Sequence, residues 1–453
     1  MEEIVIYGSD GGKTVTNTSH ATDQFVTACD LHTGSHLWTY KKSSSPMHGL
    51  VANDQYIFAN QVDQAQLFIY THGRETFSQK LILPERVGCI SVSPKGNYLA
   101  VGGDTGRLLI WGLRTGKLIL AQDTHYQGIT TLQFTQDDAY LFSGGNDARV
   151  FGWNMTEVVN LSLDKSTESV QPALTFTDHS LAVTDIVVGY GKCTETRVFT
   201  CSLDQTVRCW DLVTGQLLTT FVLSEKVHSI AVDPIERAIY AGLSNGIIQD
   251  IQLYNQNKAT GAIETVGGAR RIITIEPQES KSLAQHTSVV TCLKLSFDAT
   301  LLVSGDDKGQ VLIWELSSKQ VTRRPKQHRG AISSIQLICR KKDLHPNKMV
   351  SNANTTNQLP ILERTLTTSI PKKDDIWIQL KDSVKDQQPP SELDILQDVE
   401  IAKAQAAQFA GENTQSGLQA KVQQLETDLS QLYQHYTNLK SVHEDLWKLH
   451  VKK

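Results

Sequence analysis

Along most of the first 340 residues, apolar and polar positions alternate in runs of five or six that end at turn residues. A period of two marks half-buried β-strands, not helices. Runs such as TTLQF, TDIVV and TCLKL are each followed by a second run (AYLFSGG, RVFTCS, TLLVSGD), then a tight turn, then a strand that ends on a large apolar residue. These closing phrases end at Tyr70, Trp111, Trp153, Trp210, Ile251 and Trp314, at steps of 41, 42, 57, 41 and 63 residues. Three of the steps match the period of a four-stranded propeller blade. The other two read as one period plus an insertion, supplied by the polar segments near 160–175 and 255–282. A last hairpin is explicit in DLHTGSHLWTY, GLRTGKLIL and DLVTGQLLTTF, where Thr-Gly marks the turn.

Six repeats fit between about residues 48 and 322, and the hairpin at 25–40 adds a seventh. That hairpin lacks an inner strand, which AISSIQLICR at the far end, after His328, can supply. Closing the ring with strands from both ends leaves no free sheet edge. The expected architecture is an all-β, seven-bladed propeller over residues 1–385, and DDIWIQL around Trp377 would make an eighth blade if it were another third strand.

The pattern changes after Gln387-Gln388-Pro389-Pro390. The prolines make residues 386–392 a stiff linker. From 393 to 453 Ala, Gln, Leu, Glu and Lys dominate, and a helical segment at 393–409 is separated from a second by Gly411 and Gly417. In the second, Leu418, Leu425, Leu432, Leu439 and Leu446 recur every seven residues, interleaved with Val422, Leu429, Tyr436, His443 and His450. This alternating spacing predicts a coiled coil, and Leu throughout one seam position favours two parallel strands. Lys421 is placed to pair with Glu426 of a partner helix. Self-association, packing on another protein and docking back on the propeller are all open to such a helix.

Composition narrows the function classes. The 453 residues are 40% hydrophobic and 20% charged, with a net charge of −5. This balance excludes a disordered chain, and it limits any nucleic-acid contact to a local patch. The chain shows no transmembrane run and no secretory leader, so a membrane partner is not expected. Seven scattered cysteines without a C-x-x-C pair read as small buried hydrophobes in a reducing compartment. The sequons at Asn154 and Asn354 are then chance matches.

Three repeats carry a recurring polar set: His125, Ser143, Asp147 and Trp153; His179, Thr200, Asp204 and Trp210; and His286, Ser304, Asp307 and Trp314. With Trp210-Asp211 as a complete Trp-Asp dipeptide, these sets make the chain resemble the WD-repeat family. Trp111-Gly112, Trp153-Asn154 and Trp314-Glu315 depart from that dipeptide. The groupings invite a catalytic-triad reading, but an enzyme needs one site and this pattern repeats. No nucleophile elbow, Walker loop or zinc-protease helix accompanies them. The structural reading is that imidazole and hydroxyl satisfy a buried carboxylate and lock each blade. No catalysis, metal or cofactor is expected.

Binding then falls to loops and rim. The insertions at 155–178, 254–285 and 341–373 are candidate partner surfaces or solvated loops. Arg323, Arg324, Lys326, His328, Arg329, Arg340, Lys341 and Lys342 form a basic cluster able to touch RNA phosphates or an acidic partner. No aromatic residues interleave with it for base stacking.

The strings THYQGITTLQF, FSGGNDARV, DHSLAVTDI and SLDQTV, followed by a terminal coil, resemble the WD repeat-containing protein 18 family. They are similar also to its fungal counterpart, the WD-repeat subunit of the complex that processes the second internal transcribed spacer of pre-ribosomal RNA. The resemblance implies a scaffold in the nucleolus and nucleoplasm, with a cytoplasmic pool left open, acting in maturation and export of the large ribosomal subunit. It implies helical-repeat protein partners and, through their complex, an AAA-type remodelling ATPase and a SUMO-specific protease. It also implies a homodimer through the tail, with RNA contact secondary. The alternative is a generic propeller adaptor, such as a ubiquitin-ligase substrate receptor or a trafficking subunit.

Overall fold

Each strand–turn unit becomes an antiparallel sheet of four strands, extended in blade 5 by a fifth, and among the described residues seven such sheets close into a propeller through their innermost strands. The structure is a computed structural model that describes residues 2–11, 25–164, 169–191, 196–256, 263–268, 270–276, 282–340, 359–364 and 429–430. Blade 1 is built from both ends of the sequence: Ile332–Arg340 lies innermost, followed by Glu2–Ser9, Phe25–Asp30 and His36–Lys41. Blades 2 to 7 begin at inner strands Leu50–Ala52, Val87–Val92, Ile129–Phe134, Val183–Val188, Val227–Val232 and Val290–Leu295. Their third strands carry the closing phrases read in the sequence, from Gln66–Thr71 in blade 2 to Val311–Glu315 in blade 7.

The far end does supply the innermost strand of blade 1, but Glu2–Ser9 between it and Phe25–Asp30 was not anticipated. Ile4, Val5, Ile6 and Tyr7 are all buried. A strand packed on both faces has no alternation to betray it.

The apolar cores lie between blades. Phe142, Val150 and Phe176 of blade 4 meet Val183, Ile186, Val198 and Trp210 of blade 5, and the Trp210 ring stacks on Phe176 at 4.3 Å. Around the axis a second device joins neighbours. A bulge after the first residue of three inner strands turns out Thr130, Thr184 and Thr291. Their hydroxyls donate to the carbonyls of Val183, Val227 and Ile332 on the next blade at 2.5, 2.9 and 2.6 Å.

The insertions carry structure of their own. The segment after Trp153 forms an α-helix, Met155–Asp164, that buries Met155 and Val158 against blades 3 and 4. A polar loop had been expected there, yet two apolar residues three apart suffice to seat a short helix. In the blade 6 insertion, Tyr254–Gln256 pairs with Ile263–Thr265, and Arg271–Thr274 adds in parallel to Leu217–Val222 as a fifth strand of blade 5. Of the third insertion, residues 359–364 are described, and they lie along blades 2 and 3.

The chain divides into two units, residues 1–369 and 370–453. The coil residues Leu418, Val422, Leu425, Leu432, Tyr436, Leu439 and Leu446 lie outside the described residues, as do the 386–392 linker, the segment around Trp377, and Lys341 and Lys342. Leu429 and Ser430 are helical, and Leu429 is exposed.

Candidate functional site

The three polar sets assemble in blades 4, 5 and 7. Each His sits four residues before its inner strand, each hydroxyl lies on the second strand, and each Trp lies on the third. In blade 4, His125 Nδ1 is 3.0 Å from Asp147, its Nε2 is 2.9 Å from Ser143 Oγ, and Trp153 Nε1 donates to the same hydroxyl at 3.1 Å. In blade 5 the matching distances, to Asp204, Thr200 and from Trp210, are 3.0, 2.8 and 2.9 Å. Blade 7 repeats the arrangement with His286, Ser304 and Trp314, but the carboxylate is Asp306, 3.1 Å from His286 Nδ1.

Asp307, chosen from the sequence, is therefore corrected. It is exposed, and its backbone N–H donates to Val289. Asp306 is the last residue of the strand that carries Ser304, two positions on and on the same face, whereas Asp307 lies in the turn beyond it.

With Nδ1–H donated to the carboxylate, Nε2 of each imidazole is free to accept the Ser or Thr O–H, and the hydroxyl oxygen accepts the indole N–H. The chain of donors resembles a Ser–His–Asp triad, but Ser143, Thr200 and Ser304 are fully buried and each oxygen is capped by an indole. The sets hold the blades and present no reactive atom to a substrate.

A fourth imidazole completes the ring closure and was missed as part of this network. His328 Nε2 lies 3.2 Å from Thr27 Oγ1, Tyr7 packs edge-on to the ring at 5.1 Å, and the Tyr7 hydroxyl donates to the Lys326 carbonyl. Here the hydroxyl comes from the third strand instead of the second. Blades 3 and 6 dispense with the set. Leu83 and Leu223 stand four residues before their inner strands, and Glu85 and Glu225 accept the hydroxyls of Thr105 and Ser244.

Burial pushes the His125 pKa below its ordinary value, against the pull of Asp147. Burial would raise Asp204 and Asp306, but hydrogen bonds from His179 and Thr206, and from His286 and the Gln310 amide, outweigh it and hold both carboxyls below the usual range. His228 is likewise lowered, by burial and by Lys226. In every case the unfolded chain binds more protons, so this stability is present above the unfolded pKa and is lost as pH falls. Urea midpoints are expected to drop between pH 7 and 5 as His125 and His228 charge, with a further loss below about pH 4 from the carboxyls. His125→Gln should flatten the first phase; an unchanged slope in that variant would refute the assignment.

The chemistry left accessible is on loops. Tyr126, next to His125, is 85% exposed, with the Arg149 guanidinium 5.4 Å above its ring. Leu181 projects from the corresponding loop of blade 5. His48 Nε2 reaches the Thr184 carbonyl at 3.1 Å, three blades away. The basic cluster is partly consumed internally, since Arg323 donates to the Leu31 carbonyl and Arg324 to Gln285, while Lys326 and Arg329 are exposed. Among the described residues no His, Cys, Asp and Glu group is arranged to hold a metal, and no helix is long and apolar enough to cross a membrane.

Comparison with known proteins follows the same geometry. The family described as WD domain, G-beta repeat matches residues 78–112, 116–154, 170–211 and 277–315. Each match runs from an outermost strand or the segment before it to the third strand of the next blade. The chain is 35% identical to the Pre-rRNA-processing protein IPI3 of Yarrowia lipolytica, over the full length of both. It is 32% identical to the Pre-rRNA-processing protein crb3/ipi3 of Schizosaccharomyces pombe, over 94% of this chain and 95% of that one. With the human WD repeat-containing protein 18 it shares 31% identity over 65% of each chain. Full-length identity at this level, on a ring of seven blades with the polar sets in place, makes the chain a member of the WD-repeat family named Pre-rRNA-processing protein IPI3 in fungi and WD repeat-containing protein 18 in vertebrates.

Proposed function

We propose that the chain is a non-catalytic scaffold of a nuclear complex that processes pre-rRNA and matures the large ribosomal subunit. The observation that carries the non-catalytic part is the burial of every Ser or Thr hydroxyl in the His–Asp sets beneath an indole. The names of the full-length relatives support the processing role. Partners of this scaffold are helical-repeat proteins, engaged through loops and rim. Tyr126 with Arg149 is a favourable anchor, since exposed Tyr and Arg dominate the energetics of many interfaces. Through these partners it meets an AAA-type ATPase and a SUMO-specific protease. Its C-terminal helix forms a two-stranded parallel coil with a second copy, a reading supported by the heptad of leucines and by the exposure of helical Leu429.

Affinity purification of the full chain, with identification of bound protein and RNA, tests this role. Helical-repeat proteins and large-subunit precursors are expected. Recovery of ubiquitin-ligase or coat components in their place would overturn it. Tyr126→Ala is expected to reduce recovery of the direct partner at least fivefold without changing the melting temperature.

A further inference from the structure

The groove between the outer strands of blades 2 and 3 holds residues 359–363, Leu-Pro-Ile-Leu-Glu, brought from the segment beyond blade 1. We infer that this groove is a linear-motif recognition site, that its ligand is an extended Leu-Pro-x-Leu-Glu segment, and that its resident occupant is this chain's own copy.

Main-chain hydrogen bonds grip both ends of the segment. The Leu359 N–H donates to the Tyr56 hydroxyl at 3.1 Å, and Gln79 Nε2 donates to the Leu359 carbonyl at 2.8 Å. At the other end the Glu363 N–H donates to the Gly116 carbonyl at 2.8 Å, and Trp111 Nε1 donates to the Glu363 carbonyl at 2.7 Å. Between them Leu362 is buried in the core cluster shared by blades 2 and 3, while Ile361 is 87% exposed. Main-chain contacts give affinity and one buried side chain gives identity, which is the logic of extended-peptide readers. Pro360 restricts itself and Leu359 to extended backbone, lowering the entropy lost on docking.

Two features of the groove are explained by an occupant. Trp111 is buried, yet its blade has Val101 where blades 4, 5 and 7 have Ser143, Thr200 and Ser304, and Leu83 where they have histidine. Its indole N–H finds its partner in Glu363. Gly116, at φ +72°, leaves the space the segment needs, since a Cβ there would come within 2.6 Å of the Ile361 carbonyl. The eighteen residues of 341–358 span at most about 60 Å, ample to reach the groove from Arg340.

Hydrogen exchange on the full-length protein, read by mass spectrometry, tests the site. Exchange across residues 359–363 is expected to be at least tenfold slower in the wild type than in Leu362→Asp. Trp111→Phe replaces the indole with a smaller aromatic ring that lacks the N–H, and should loosen the segment several-fold with the propeller still folded by circular dichroism. A synthetic peptide of residues 357–365, added at millimolar concentration to match a tethered ligand, should restore protection to 79–82 and 107–118 in Leu362→Asp. The same peptide carrying Leu362→Asp should not. Equal exchange in wild type and Leu362→Asp, or no rescue by the wild-type peptide, would overturn the site. Loss of wild-type protection on dilution would assign the groove to a second copy and overturn the resident-occupant claim.

Discussion

Asp306→Ala is expected to cost the propeller about 3 kcal/mol or more, while Asp307→Ala stays within about 0.5 kcal/mol of wild type. Asp306 is fully buried. It receives His286 Nδ1 on one oxygen and the amides of Lys308 and Gln310 on the other, at 3.1 and 2.7 Å. Alanine would strand three donors at once, and each buried unsatisfied group costs about 1–3 kcal/mol. The imidazole, freed on one side, would also loosen its hold on Ser304 and hence on Trp314. Asp307 is exposed, and alanine keeps its backbone bond to Val289. Guanidinium unfolding at pH 7 measures both variants. Similar losses in the two would contradict the assignment of the carboxylate.

The second large effect belongs to the proposed C-terminal coil. Leu425→Asp with Leu432→Asp is expected to convert the proposed dimer to a monomer and leave the propeller's thermal transition in place. Truncating a buried leucine to alanine costs about 2–5 kcal/mol, and a carboxylate in an apolar seam costs more. Two such changes in each helix exceed the roughly 8 kcal/mol that holds a micromolar dimer. In the proposed seam His443 and His450 fall at the far end, so the leucines before them would hold most of it. Light scattering reports the mass directly. A monomeric wild type would remove self-association, and a double variant that remained dimeric would move the interface elsewhere.

What could be read along the chain were the features that repeat locally. His125, Ser143 and Trp153 lie within one blade period, and the ten-residue step from hydroxyl to tryptophan recurs from Thr200 to Trp210 and from Ser304 to Trp314. A repeat states its own geometry because each copy meets the same neighbours. The carboxylate of blade 7 broke the rule. Asp147 and Asp204 follow their hydroxyl residues by four positions, whereas Asp306 follows Ser304 by two. Spacing alone could not choose between adjacent acids; the choice is made by the turn, which buries Asp306 against His286 and leaves Asp307 exposed.

The sequence by itself determined the all-β ring, the joining of its two ends, the complete polar sets of blades 4 and 5 and the His, Ser and Trp of blade 7. Each of these rests on short-range periodicity or on the need to cover a sheet edge. Tertiary structure decided the rest: Glu2–Ser9 as the second strand of blade 1, the parallel strand Arg271–Thr274 on blade 5, Thr27 as the partner of His328, and the docking of residues 359–363 on Trp111. Thr27 and His328 are 301 residues apart, and Trp111 and Glu363 are 252 apart. Pairings over such distances leave no period in the sequence. They are selected by which buried donor or open edge remains once the local blades have formed.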